Sequence, residues 1–552
     1  MQGADILIET LRREGITHVF GLPGTTVMSI IDALARQTKL RYLSVRHEQV
    51  AGFMADGFAR AAGRPAVALA SRGPGAANLT IAVHNAHAES IPLLAIVGQV
   101  SDDIAYRDAF EETDLVAFFT PITKWAVEVR DVERIPELVQ RAVRAAVSGR
   151  PGPVLISLPL NVQTSEGDPQ YQPRFRPSPP APDGAGVHQA AALLAGARQP
   201  VIIAGGGVLH GSYDADLDQL ATRLGAPVVS TWMRKNAVSN AAPYFLGSMG
   251  YGASMVTEAV VADADVVLAL GCRFSEFTTK RYSLLNRASA LIHVDVDAAE
   301  LGHIYVPAVG LQADVAATTK VLAAAFSAAP PTPADEERQA RLRRLRAQYL
   351  NAIRPPEPGP ESRYVTSGEV IPVLQDLMRR PDVTMVQDVH TFGPWIQRFV
   401  DFDRPGSYFA AAGGSMGWGM PAALGIALAR PDTRVVAISG DGSFFMIAQD
   451  LETAVREDIP VVNVVINNFA FGNTRDRQRF AHDGRYLGVF YGNPDFAAYA
   501  ELLGAYGERV EKASELGPAL ERALASGRPA VIDVIQDELE GLPGDLQPPG
   551  AR

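Results

Sequence analysis

Short apolar runs recur along the chain, and each ends in a turn rich in glycine before a stretch with helical spacing takes over. In the first part the runs are Val19-Phe20, 40–45, 66–70, 93–97 and 154–158. Between them, starting with residues 4–14, apolar positions recur at the three- and four-residue intervals of a helix with one buried face. Strand, turn and helix in series predict a parallel, doubly wound sheet. Residues 164–186 lack periodicity and are rich in proline, glycine and serine, as a linker would be. A second series begins near Val187, with strands predicted at 201–204, 266–270 and 291–296. A second connector covers 327–361, with prolines at both ends and a charged helix at 335–350. The third series runs from about Ser367 to Asp537, and residues 541–552 are expected to be disordered. The pattern therefore predicts an α/β protein of three doubly wound parallel-sheet domains, at 1–175, 186–330 and 362–540.

The densest chemistry lies in the third series. Val435-Val436-Ala437-Ile438 reads as a buried strand that stops at Gly440-Asp441-Gly442. A helix is predicted to follow through Leu451, Ala454 and Val455, and then a second strand, 461–466, ends on Asn467-Asn468. In a parallel sheet both strand ends open on the same crevice. Asp441 offers a carboxylate there and Asn468 an amide oxygen, the hard donors that a cation such as Mg2+ prefers. The glycines beside Asp441 let backbone N–H groups approach a phosphate, and the following helix presents its positive end to it. A lone Gly-Asp-Gly is equally a capped turn. The amide pair one strand–helix–strand unit later raises the reading to a magnesium–diphosphate site.

Composition narrows the alternatives. The chain has 552 residues, the size of three to four domains, and 47% of them are apolar, enough for several cores. Its formal net charge of −11 argues against a nucleic-acid partner, which selects basic surfaces. One cysteine, Cys272, excludes an intrachain disulfide and fits a reducing compartment. No apolar run approaches the ~20 residues of a membrane span. Residues 1–15 pattern as an amphipathic helix with acids rather than as a secretion signal. A cytoplasmic location without membrane or nucleic-acid partners is expected.

The spacing of Gly-Asp-Gly from Asn-Asn, in the last of three α/β units, resembles the cofactor motif of thiamine diphosphate (ThDP) enzymes. Nearly the whole chain resembles their acetolactate synthase-like group. The resemblance implies a first domain that binds the aminopyrimidine of ThDP, a central domain, and a third domain that binds the diphosphate through Mg2+. In that group the two cofactor-binding domains that meet come from different subunits, which implies at least a homodimer and commonly a homotetramer.

The same resemblance assigns roles to residues. Glu48, in Arg46-His47-Glu48, sits among Val45, Val50, Ala51, Phe53 and Met54, where it is expected to be shielded from water. It matches the family glutamate that hydrogen-bonds the pyrimidine and brings the aminopyrimidine to the imino form that takes the thiazolium C2 proton. The cofactor then acts as electron sink. Glu48 also reads as an acid favourable to a helix start. His47 reads as its structural neighbour or as a proton carrier. Met416, flanked by Gly414 and Gly417, matches the large apolar residue that wedges the two cofactor rings close together, and it also reads as a core methionine. His390 and Thr391 resemble the diphosphate loop, or a cap. Gly440, Gly442 and Ser443 accompany Asp441. Ala470, Phe471 and Gly472 follow Asn468, and Ala470 is expected to give its backbone carbonyl to the metal. Gly24 and Asn78 match positions near the pyrimidine and are equally turn chemistry. Glu111 stands where acetolactate synthases carry an active-site glutamine, and its carboxylate either relays a proton or is solvated. Arg150, Gly205, Gly206, Gly207, Gly271, Arg273, Asp295 and Asp297 resemble a central-domain nucleotide site, where relatives hold FAD, ADP or nothing.

Two departures concern substrate. Acetolactate synthases carry lysine at the position of Leu160, and their sequence differs from this chain over 469–478. Arg475 and Arg477 in that stretch read as ligands for an anionic substrate or as solvated. The expected function is a ThDP- and Mg2+-dependent carboligase or decarboxylase acting on a 2-oxo acid through a C2 carbanion and enamine. The alternatives are a C–C lyase of 2-hydroxyacyl-CoA or oxalyl-CoA, a sulfoacetaldehyde acetyltransferase, and a non-catalytic binding subunit.

Overall fold

The Val-, Ile-, Leu- and Ala-rich runs become strands buried on both faces, because helices cover each sheet on two sides. The computed structural model describes residues 1–210, 215–328, 330, 332–356, 364–543 and 546. Residues 357–361 of the second connector and most of the 541–552 tail lie outside the described residues. The first sheet comprises β1 (His18–Gly21), β2 (Arg41–Ser44), β3 (Ala66–Ala70), β4 (Leu93–Gln99), β5 (Trp125–Glu128) and β6 (Val154–Pro159), in the order β2-β1-β3-β4-β6-β5. The second comprises β7 (Pro200–Ala204), β8 (Val228–Ser230), β9 (Phe245–Ser248), β10 (Val266–Leu270), β11 (Ala290–Asp295) and β12 (Val309–Gln312), in the order β12-β11-β10-β7-β8-β9. The third comprises β13 (Val383–Gln387), β14 (Tyr408–Ala410), β15 (Arg434–Gly440), β16 (Val462–Asn467), β17 (Tyr506–Val510) and β18 (Ala530–Ile535), in the order β14-β13-β15-β16-β18-β17. All pairings within these sheets are parallel. The first and third sheets are thus wound identically, and the second has the strand order of a dinucleotide-binding fold.

Strand order fixes where each mouth lies. In the first and third sheets the chain reverses direction between the first and third strands of the unit. Crevices therefore open beyond β1/β3 and beyond β13/β15. Residues 388–391 and 441–443 enter the second of these crevices.

The first and third units share one core within the chain. Phe53, Met54 and Phe58 pack with Trp418, Met420, Leu424 and Phe444. Helix Glu48–Ala62 crosses helix Gly419–Ala429 so closely that a Cβ on Gly57 would stand 2.2 Å from Ala422 O, and one on Gly425 would stand 2.0 Å from Met54 O. The second unit has its own core, and the charged connector helix, Pro333–Ala352, packs on it. There Arg338 is buried and donates to Leu224 O and Ala197 O.

The single helix expected after Gly-Asp-Gly is broken into helix Asp441–Phe445, a tight turn Ala448–Asp450 and helix Leu451–Arg456. Asp450 is drawn across to the first unit, where its Oδ1 accepts from Arg46 N at 2.8 Å as well as from Thr453 Oγ1. Among the described residues no helix is long and apolar enough to cross a membrane.

Candidate active site

Strand β15 delivers Asp441 to the rim of the third sheet, and β16 delivers Asn468 beside it, because Gly440 pairs with Ile466 in parallel register. Asp441 is almost fully buried. Its Oδ1 accepts from Gly442 N at 3.0 Å, and its Oδ2 accepts from Asn493 Nδ2 at 2.8 Å. Burial pushes its carboxyl up to about 6, against the pull of these hydrogen bonds. Phe469, at φ 53°, occupies the left-handed region that costs a non-glycine residue energy. This turn separates Asn468 from Ala470. It is braced by Phe471 N donating to Val489 O and Tyr491 N donating to Phe469 O.

One pocket is lined by His390, Thr391, Met416, Gly440, Asp441, Gly442, Ser443, Asn468, Ala470, Phe471 and Gly472 together. Gly414 lies on the flanking turn, exposed, at φ 79° and with open space where a Cβ would be. The glycines of the pocket are required by contact: a Cβ on Gly440 would stand 2.9 Å from His390 Cβ, and one on Gly472 would stand 2.1 Å from Thr391 Oγ1. Ser443 Oγ donates to Val389 O at 2.7 Å, tying the two loops of the crevice together. Both ring nitrogens of half-buried His390 are shielded from solvent, and this desolvation pushes its pKa down to about 3, so the ring is neutral at physiological pH. Neither of its ring nitrogens has a hydrogen-bond partner. Shielded ring nitrogens left unpaired at a glycine-lined crevice fit an incoming acceptor such as a phosphate oxygen. Among the described residues no three His, Cys, Asp or Glu side chains converge as a metal cluster. The donors here are instead a carboxylate, an amide and a main-chain carbonyl, a set suited to a hard cation. The pocket residues thus fit both a diphosphate and its magnesium.

A second group of predicted residues gathers at the mouth of the first sheet. Glu48 opens helix Glu48–Ala62 and is 6% exposed. Asn78 Nδ2 donates to Glu48 Oε2 at 2.9 Å, and Gly75 lies beneath it, where a Cβ would stand 3.0 Å from Oε1. His47 caps the same helix, its Nδ1 accepting from Gln49 N. Gly24 packs against Ser71. Glu111, at φ 59°, lies 3.7 Å from Arg72 Nε. None of these residues lines the pocket of the third unit.

Several residues of the site had no sequence signal. Asn493 Nδ2 bridges Asp441 and Asn467 Oδ1, and Asn467 in turn donates to Asp533 Oδ1. Of the asparagine pair, Asn467 is therefore a buried brace and Asn468 faces the pocket. Gln536, Glu540 and Gly541 form a rim from the carboxyl end of the chain. Arg475, read as a substrate ligand or solvated, is fully buried and holds that rim through Glu538 O and Glu540 O while pairing with Asp476. Between the first and central units, Arg273 of the central unit donates to Ala88 O, and Arg150 of the first unit donates to Glu300 Oε1 and His87 O.

Three doubly wound units, with a glycine-lined pocket for a diphosphate at a switch point of the last, define a cofactor-dependent α/β enzyme. The N-terminal, central and C-terminal domain models of thiamine pyrophosphate enzymes match residues 1–118, 187–322 and 388–534. The chain is 34% identical to a probable acetolactate synthase large subunit of Methanocaldococcus jannaschii, covering 100% of this chain and 94% of that protein. It is also 34% identical to the acetolactate synthase isozyme 1 large subunit of Escherichia coli (100% and 96% covered) and 33% identical to its isozyme 2 large subunit (100% and 98%). The chain belongs to the thiamine pyrophosphate enzymes and, within them, to the acetolactate synthase-like family.

Proposed function

We propose that the chain is a Mg2+- and ThDP-dependent carboligase or decarboxylase acting on a 2-oxo acid. One observation carries this reading: an all-oxygen donor set and a partnerless neutral imidazole face one glycine-lined pocket. Asp441, Asn468 and the Ala470 carbonyl would hold the cation. Gly440, Gly442, Ser443, His390, Thr391, Phe471 and Gly472 would surround the diphosphate. Met416 would support the bend between the cofactor rings, with Gly414 giving its turn room. When bound, ThDP supplies the electron sink that lets a 2-oxo acid lose carbon dioxide and add to a second carbonyl.

Glu48 would hold the pyrimidine nitrogen. Asn78 occupies Glu48 Oε2, which leaves Oε1 for that contact. Glu111, kept near Arg72, would exchange a proton with substrate, and His47 would fix the start of the Glu48 helix. Glu48 does not reach the pocket of its own chain, so it would act in that of a second copy, which makes the working unit a homodimer at least. The exposed stripe Ala77, Asn78, Ile81 and His84 on helix Pro74–Glu89 offers a face for that meeting. A homotetramer is a pairing of such dimers, and mass measurement in solution separates the two. A flavin or adenosine nucleotide in the central unit would compete with Glu300 for Arg150 and with Ala88 O for Arg273. The visible absorbance of the purified protein reports a bound flavin.

The test is incubation with ThDP, Mg2+ and pyruvate, measuring carbon dioxide and the coupled product. Acyl-CoA substrates and sulfoacetaldehyde are run in parallel. Carbon dioxide release from pyruvate with a new C–C bond is expected. Turnover of acyl-CoA alone would replace this reading with the lyase. Glu48→Gln should retain ThDP binding and slow C2–H exchange of the bound cofactor by orders of magnitude, and an unchanged rate rejects the role given to Glu48.

A further inference from the structure

Met416 sits in a turn whose two shoulders are held by buried carboxylates of the first unit. On one side Gly413 N donates to Glu89 Oε1. On the other, Trp418 Nε1 donates to Asp56 Oδ1 at 3.0 Å. Arg60 joins the two acids: its Nε donates to Asp56 Oδ1 at 2.6 Å, and its Nη1 donates to Glu89 Oε2 at 3.1 Å and to Ala410 O, just before the turn, at 3.2 Å. The Arg60 guanidinium also lies 4.8 Å from the centre of the Trp418 ring. Asp56 is 0% and Glu89 4% exposed. Gly413 lies so close to Asn85 that a Cβ would stand 2.5 Å from its Oδ1. The central unit enters at the same acid, since Arg234 donates to Glu89 Oε2 and Arg273 to the neighbouring Ala88 O. Ions this deep persist where pairing and hydrogen bonds compensate their lost hydration. Here the compensating groups converge on the turn that carries Met416.

We propose that Glu89 is a positioning residue for Met416: it sets how far that side chain enters the cofactor pocket, and through Arg234 it makes the central unit part of the setting. The proposal rests on the ThDP reading of the pocket. Glu89 does not touch the pocket and acts through the backbone of Gly413. Removing its charge would release one shoulder of the turn and leave Asp441, Asn468 and His390 untouched. The diphosphate anchor would stay, and the closeness of the two cofactor rings would be lost.

The experiment uses the full chain saturated with ThDP and Mg2+ and follows hydrogen–deuterium exchange at cofactor C2 by acid quench and NMR, with ThDP affinity measured separately. Glu89→Gln is expected to keep ThDP affinity within several-fold and to slow exchange by roughly ten- to a hundred-fold, the scale of a 1 Å misplacement. Glu89→Asp, which keeps the charge, falls between. Exchange at the wild-type rate in saturated Glu89→Gln, with only affinity or melting temperature changed, overturns the proposal and leaves Glu89 a structural ion. Should Glu89→Gln fail to fold, Arg234→Gln removes the central unit's ion pair to Glu89 and leaves the Gly413 and Arg60 contacts in place. Slower exchange in that variant supports the proposal, and the wild-type rate overturns it. Wild-type protein that exchanges C2–H no faster than free ThDP overturns the reading of the pocket itself, a result distinct from any difference among variants.

Discussion

Gly57→Ala tests the crossing on which the site is built. The new Cβ would stand 2.2 Å from Ala422 O, 2.7 Å from its Cα and 2.8 Å from its carbonyl carbon, all main-chain atoms inside a helix. No side chain can rotate out of the way, and ordinary contact begins only at 3.4 Å. The two helices must therefore part by roughly 1 Å, and a gap of that size forfeits a quarter to a half of the dispersion energy across the face. Overpacking of this kind costs about 1–3 kcal/mol, and the lost packing of Met54, Phe58 and Leu424 adds to it. Alanine returns about 1 kcal/mol through helix propensity. A net destabilisation of about 1–3 kcal/mol follows. One helix begins with Glu48 and the other follows the Met416 turn, so cofactor C2–H exchange should slow as well. The assay is urea unfolding of the ThDP-saturated protein, with Gly425→Ala as a second probe of the same crossing. Gly196→Ala, at the end of helix Gly184–Gly196 with open space at that position, is the control and should gain up to about 1 kcal/mol. An unfolding midpoint for Gly57→Ala equal to or above wild type refutes the argument.

Three further outcomes are expected. With ThDP and Mg2+ at a hundred times their dissociation constant, wild-type stability should rise by about 2.7 kcal/mol, and Asp441→Ala or Asn468→Ala should lose the Mg2+-dependent part of that rise; a thermal shift that persists in both variants contradicts the cation site. Arg475→Ala strands the buried Asp476 carboxylate and frees Glu538 O and Glu540 O, so amide exchange over 536–541 should accelerate and ThDP affinity should fall; unchanged protection there counts against the anchoring role. Burial raises the Asp450 carboxyl from 3.8 to about 6, so the folded chain holds an extra proton between about pH 4 and 6 and that group's contribution to stability declines as pH climbs through this window. Asp450→Asn mimics the protonated form, so its stability relative to wild type should improve by up to about 3 kcal/mol from pH 4 to pH 7, and a flat or falling difference in urea midpoints refutes the assignment.

Central strands such as β15 and β16 were legible because burial on both faces leaves an almost unbroken apolar run. Edge strands were not. Trp125–Glu128 is half-buried along its length, and Tyr408–Ala410 is three residues long, so neither shows a run or an alternation. The Asp441 and Asn468 chemistry was readable because both residues sit where apolar strands stop. Asn493 and the carboxylate rim at Glu540 were invisible, since no local pattern says that a residue far along the chain folds back to the crevice. Arg475 was misjudged for a related reason: the carbonyls it holds, at Glu538 and Glu540, belong to the carboxyl end, and burial by so distant a segment leaves no trace in its neighbours. Glu89 and Asp56 likewise look like ordinary helix-surface acids until Gly413 and Trp418 are brought against them.

The first and third sheets share one strand order, so the same winding presents two equivalent mouths in one chain. Each mouth carries an acid and an amide, Glu48 with Asn78 at one and Asp441 with Asn468 at the other, and the second adds glycine loops. For a protein engineer they are two frames of the same winding. The crevice beyond β1 and β3, near Gly24 and Ser71, has the winding needed to receive the loops grafted from beyond β13 and β15.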